Sequence, residues 1–147
     1  MNIKENLKAT GRLTITVFDR DGNLKETKTV PNLVVTVGKN YIASRMAGTA
    51  STVMSHMAIG AGVVSPAAGD TTLGSELGRA SLTSFTASTN TVTATATFNA
   101  GTGTGAVTEA GILNASSGGT LLCRTTFPVV NKAAGDSIAI TWVVTVS

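Results

Sequence analysis

Residues 98–116, FNAGTGTGAVTEAGILNAS, place three closely spaced glycines ahead of a carboxylate, Glu109, the raw material of a phosphate-binding loop with an acid behind it. A P-loop needs Gly-x-x-x-x-Gly-Lys-Ser/Thr, and a dinucleotide fingerprint needs Gly-x-Gly-x-x-Gly opening a helix. Gly101, Gly103 and Gly105 lie two apart, no lysine follows, and the downstream pattern is that of a strand. The stretch therefore predicts a hairpin loop or bulge whose glycines take positive φ. DRDGN at 19–23 offers calcium-type oxygens, but Gly22 directly follows Asp21 and the EF-hand spacing fails, which leaves a hairpin turn. His56, in VMSHMAIG, has no nucleophile partner in its neighbourhood of the sequence and reads as a core or interface residue. Cys123 shares a strand face with Leu121, Thr125 and Phe127 and reads as a buried, unreactive thiol. A single cysteine excludes an internal disulfide, and with a single histidine it cannot complete an ordinary zinc site. No catalytic residue, cofactor site or metal site is assigned, and a non-enzymatic protein is expected.

Glu109 keeps its interest, because a carboxylate in a strand of small and apolar residues is costly to bury unless paired. Arg79 and Arg124, each in an expected strand, are the candidate partners of a structural ion pair. Glu76 and Arg79, three apart in SELGR, read as a pair on a helical turn.

The elements that would position these residues are mostly strands. Alternation is clearest at 138–146, where Ile138, Ile140, Trp142, Val144 and Val146 share one face, and in TVTATATF, where Val92, Ala94, Ala96 and Phe98 oppose a threonine ladder. Further strands are expected near 11–18, 24–30, 53–59, 78–85, 106–113 and 120–127, eight in all, with turn residues at 19–23, 87–90 and 116–119. One helix is predicted over 36–47, with Thr36 as its cap and Gly48 as its left-handed terminus. Between Ala61 and Glu76 runs the longest irregular stretch, in which Asp70 would cap a short turn and Leu73 and Leu77 would pack; loops of this length are often contact surfaces. The expectation is a single all-β domain over 1–147, an antiparallel sandwich of jelly-roll kind, with residues 1–10 as an extended N-terminal arm.

Composition agrees with that class: 25 of 147 residues are threonine, 16 are glycine and only 13% are charged. The net charge of +3 is uneven, since residues 1–47 hold eight basic against four acidic side chains. These charges are interleaved and aromatics are few, so no nucleic-acid partner is expected. MNIKENLK has no apolar signal region and no run approaches a membrane span, so no membrane partner is expected either, and synthesis and retention in a cytoplasm follow. A sugar-binding module would want exposed aromatic platforms, which Trp142 and Tyr41 do not supply from a core face and a helix.

Five blocks in order, VPNLVVTVGKNYIASRMAG, MSHMAIGAG, AAGDTTLGSELGRASL, GTGTGAVTEAGILNA and LLCRTTFPVVNKAAGDSIAITWVVTV, resemble a group of small virion structural proteins of tailed bacteriophages. The resemblance covers nearly the whole chain from residue 31 onward. It implies a virion part, either a head decoration or cement protein or a tail, neck, collar or fibre-attachment component, and it brings no catalytic residues. The expected partner is the major capsid protein, or alternatively tail or neck proteins, with self-association as a dimer or trimer and a place on the capsid surface after synthesis in the host cytoplasm. Lys4, Lys8 and Arg12 of the basic N-terminal third, and Val63, Val64 and Pro66 of the long loop, are the candidate contact surface.

Overall fold

A computed structural model describes residues 2–49 and 52–147; Met1, at the head of the expected arm, and Ala50 and Ser51 lie outside the described residues. The described chain is all-β and antiparallel, with one helix. Its elements are β1 (Ala9–Phe18), β2 (Leu24–Val34), α1 (Thr36–Met46), β3 (His56–Gly60), β4 (Glu76–Ser81), β5 (Ser84–Ser88), β6 (Thr91–Phe98), β7 (Gly105–Leu113), β8 (Leu121–Lys132) and β9 (Ser137–Val146).

The strands number nine rather than eight, and they form one curled sheet in the order β4-β3-β7-β8-β2-β1-β9-β6-β5 rather than two separate ones. The extra strand arises because the run expected over 78–85 breaks at Leu82 and Thr83. There the backbone crosses between the two ends of the sheet: Leu82 N–H donates to Ser55 C=O beside β3, and Thr83 N–H donates to Thr95 C=O on β6. β2 turns the other corner, pairing with β1 over most of its length and then, at Leu33 and Val34, with Arg124 and Cys123 of β8. The two halves of the sheet thereby face each other, as the layers of a sandwich would.

Between them lies the main core, in which Leu13, Ile15 and Val17 of β1 meet Phe98, Ile138, Ile140 and Trp142 from one side and Met57, Ile59, Val107, Ile112 and Val130 from the other. The alternation in β1, β6 and β9 follows directly, because their outer faces meet solvent. Threonines occupy that outer face and bond across strands, Thr14 to Thr29 and Thr16 to Thr27.

β7 and β8 depart from alternation and are buried almost continuously. Their second face carries a smaller core of Val35, Ala58, Leu73, Leu113 and Leu121, covered by the segment between β3 and β4. Leu73 packs there as expected, whereas Leu77 remains partly exposed.

The helix caps differ from expectation at one end. Val35 is the N-cap without a side-chain bond, and Thr36 is already helical, its N–H donating to Ala68 C=O. The other end is a Schellman motif: Gly48 takes φ +68°, its N–H reaches Arg45 C=O, and Thr49 N–H reaches Ser44 C=O. Gly38 lets the helix lie directly on β8, since a Cβ there would collide with the carbonyl of Leu122.

The turn at 19–23 spans five residues rather than the two of the tightest hairpins. Asp19 Oδ1 organises it by accepting from the N–H groups of Asp21 and Asn23, and Gly22 takes φ +83°.

Candidate functional site

Glu109 lies on the outer face of β7 and is fully buried. Its ladder partner is Thr126, while Arg124 pairs with Gly111, so the carboxylate and the guanidinium are diagonal neighbours on one face of the β7–β8 pair. Arg124 Nε donates to Glu109 Oε2 at 2.9 Å, and Nη2 lies 2.8 Å from the same oxygen.

What distinguishes the pair is the rest of its bonding. Glu109 Oε1 accepts from Gly62 N–H at 2.8 Å and Ser75 N–H at 2.7 Å, and Oε2 accepts from Gly74 N–H at 2.9 Å. Arg124 Nη1 reaches Asp70 Oδ2 at 2.9 Å, and Nη2 donates to Val64 C=O at 3.0 Å. All of these partners outside the strands belong to the segment 61–75, whose ends are closed by Ala61 N–H donating to Ser75 C=O. The segment is an Ω loop pinned from beneath by one buried ion pair.

Burial alone would push the Glu109 carboxyl up; the N–H groups of Gly74 and Ser75, the Arg124 guanidinium and Gly62 N–H outweigh it and leave the carboxyl below its ordinary value. The loop can approach this closely because Gly62 has no side chain: a Cβ there would stand 2.6 Å from the Glu109 carboxyl carbon.

Above the clamp, Val63 and Val64 are 78% and 74% exposed, and Pro66 is half-buried beside them. The backbone of the loop is therefore fixed by charged hydrogen bonds while its tip holds two apolar side chains in water. Such a tip contributes binding area with little ordering cost on association. Chemically the arrangement can recognise a surface; the Glu109 carboxylate is already committed to four hydrogen bonds, from Gly62, Gly74, Ser75 and Arg124 Nε, and to the ion-pair contact with Arg124 Nη2.

Arg79 does not join Glu109, contrary to one of the two pairings considered. It bonds Glu76 twice, at 2.7 and 2.9 Å, and its Nη1 donates to the carbonyls of Ala115 and Gly118. Glu76 and Arg79 do pair, but along β4 rather than on a helical turn. Arg79 thus staples the 114–119 turn much as Arg124 staples the Ω loop.

Lys4, Lys8 and Arg12 are exposed on β1 and the segment before it, whereas Val63, Val64 and Pro66 are on the Ω loop, so the six candidate contact residues share no element. Gly101 and Gly103 in the turn between β6 and β7, and Gly105 at the head of β7, take positive φ, and Gly103 packs against Ile59.

His56 has two serine neighbours, Ser55 beside it in the sequence and Ser81 brought to it by strand pairing. Ser55 Oγ lies 2.8 Å from Nδ1 and Ser81 Oγ 3.3 Å from Nε2, and no carboxylate bonds the ring among the described residues. The Cys123 thiol is fully buried and pushed well up by that burial.

A second buried charge, Lys132, escaped the sequence reading. Its Nζ donates to the carbonyls of Asn99 at 3.0 Å and Asp136 at 2.7 Å, tying the β6–β7 turn to the β8–β9 turn. Burial pulls its pKa down against the opposing charge of Asp136. Asp136 in turn is held below the usual carboxylate range, chiefly by its bond to Lys25 and then by Ala133 N–H.

Among the described residues no group of three His, Cys, Asp or Glu could hold a metal ion, and no helix is long and apolar enough to cross a membrane. Comparison with protein-family models, with curated proteins and with solved structures returns no match.

Proposed function

We propose that this protein is a non-enzymatic structural subunit of a tailed-phage virion, and specifically a decoration or cement protein that binds the assembled head through the tip of its Ω loop. The observation that carries the reading is the Glu109–Arg124 clamp, a fully buried ion pair whose remaining bonds all go to holding an exposed apolar loop in one shape. A buried ion pair is a weak source of net stability, so its use here is better explained by the conformation it specifies.

The blocks that carry the phage resemblance also converge on this clamp. Gly62 comes from MSHMAIGAG, Asp70, Gly74 and Ser75 from AAGDTTLGSELGRASL, Glu109 from GTGTGAVTEAGILNA, and Arg124 from LLCRTTFPVV. A subunit that binds the closed shell and not its dissociated parts would stabilise the shell by mass action, and many modest contacts suffice when many copies bind. The partner in this reading is the major capsid protein.

The test is the number and position of copies on purified particles, by quantitative mass spectrometry and cryo-electron microscopy. Tens to hundreds of copies on the head surface are expected. A small symmetric number at the neck or tail would replace the head assignment with the tail, collar or fibre-attachment reading, and absence from particles would overturn both.

A further inference from the structure

The sheet ends in two edge strands, β4 and β5. β4 carries an ion pair, Glu76 with Arg79, and charge on an edge guards it against pairing with another chain. β5 carries no such guard. No charged side chain occurs between Arg79 and Glu109, no proline interrupts that stretch, and the β5–β6 register runs without a bulge from Ser84 opposite Thr95 to Ser88 opposite Thr91. All five residues of β5 are exposed.

The backbone groups that β5 leaves open follow from the bonding of its neighbour. Val146 N–H donates to Asn90 C=O, one step before the register that sets Thr91 opposite Thr145 and Val92 opposite Val144. Bonded and non-bonded pairs alternate along an antiparallel ladder. Val92, Ala94 and Ala96 therefore bond β9, while Thr91, Thr93 and Thr95 bond Ser88, Thr86 and Ser84 of β5. The N–H and C=O groups of Phe85 and Ala87 point away from the sheet, with no backbone partner among the described residues. Phe85, opposite the core residue Ala94, is 37% exposed.

We propose that β5 pairs antiparallel with β5 of a second copy, about a two-fold axis at Thr86, and so joins the two sheets into one. The strand's own sequence selects this occupant. Ser-Phe-Thr-Ala-Ser has the same order of polar and apolar residues in both directions, so the axis sets Phe85 opposite Ala87 of the second copy and Ser84 opposite Ser88 of the second copy. Each Phe85–Ala87 pair exchanges two N–H···O bonds, which satisfies the open groups of both edges. Each Phe85 ring covers the facing Ala87 on the inner face, and the two Thr86 side chains meet on the outer one. An uncharged edge also meets its own copy without repulsion. A contact this small makes a weak dimer. It gives a geometry to the self-association expected from the sequence and does not depend on a place in a virion: it is tested on the purified chain, and a monomer there would leave the copy count on particles unaffected.

In this register Thr86 with Thr86, and Ser84 with Ser88, are non-bonded pairs with Cα atoms about 4.5 Å apart, within disulfide reach. Under mild oxidation Thr86→Cys is expected to form a covalent dimer by itself, whereas Ser84→Cys and Ser88→Cys form one only when mixed; the native Cys123 is buried and does not compete. Equal cross-linking of all three variants alone, or none by Thr86→Cys, overturns the proposal. Sedimentation equilibrium without cross-links supplies an independent readout. Thr86→Lys and Thr86→Glu each raise the dissociation constant several-fold through like charges on the axis, and mixing them restores association as a heterodimer. Their melting temperatures stay at the native value, because Thr86 is exposed. Ala87→Pro removes an outward N–H and none that bonds β6, and it abolishes the dimer. A monomer at every accessible concentration, or a dimer indifferent to both Ala87→Pro and Thr86→Lys, overturns the proposal.

Discussion

At the scale of single residues, the clamp predicts unequal consequences for similar substitutions. Glu109→Gln keeps the shape but removes the fully buried counter-charge of Arg124 and leaves it the half-buried Asp70, a change that costs about 3 kcal/mol, the low end for breaking a buried pair. Urea denaturation should read that loss, and hydrogen exchange should localise it, with the amides of Gly62, Gly74 and Ser75 protected in the native protein and fast in the variant. The same carboxyl sets an acid limit. Its folded pKa lies below the ordinary 4.5, so its full stabilisation is present above that value and is lost as pH falls below it, when the unfolded chain takes up the proton first. Asp136, also lowered, acts in the same direction. The urea midpoint should therefore be level near neutrality and decline below about pH 4.5, and Glu109→Gln should flatten part of that decline. Cys123, buried and with its thiol pushed up, should resist maleimide in the native state and react on unfolding; native labelling at the rate of a free thiol would contradict the packing described.

At the scale of elements, α1 depends on one missing side chain. Gly38→Ala would drive a Cβ into the backbone of Leu122 and lift the helix from β8, destabilising the protein by about 1–3 kcal/mol despite alanine's better helix propensity, as thermal melts can check. β1, β6 and β9 were legible in the sequence because each has one dry face and one wet one, and β7 and β8 were less so because the Ω loop keeps both their faces dry. The Glu109–Arg124 pair was legible because a charge in an apolar strand demands a partner. Gly62, Gly74 and Ser75 were not, since they contribute backbone N–H groups that every residue type but proline carries. Lys132 was missed for a related reason: its partners are carbonyls, and lysine is usually a surface residue. The serines around His56 are a mixed case, one adjacent in sequence and the other brought across from β4 by strand pairing alone.

For the whole molecule, the proposed role separates stability from attachment. Val63→Asp with Val64→Asp changes only exposed side chains, so the melting temperature should stay within a degree or two of the native value, while occupancy on particles should fall sharply in a pelleting assay. Unchanged occupancy would move the attachment surface elsewhere. The sheet itself has a further consequence in time. β1 pairs along its full length with β9, from Ala9 opposite Val146 to Phe18 opposite Ser137. A ribosome finishes β1 on the order of ten seconds before it finishes β9. Through that interval the β1–β2 hairpin can form, but one edge of β1, with Leu13, Ile15 and Val17 beside it, has no strand to meet. Closure waits for residue 146, so an interrupted chain keeps an open edge and never acquires the finished surface on which assembly would act.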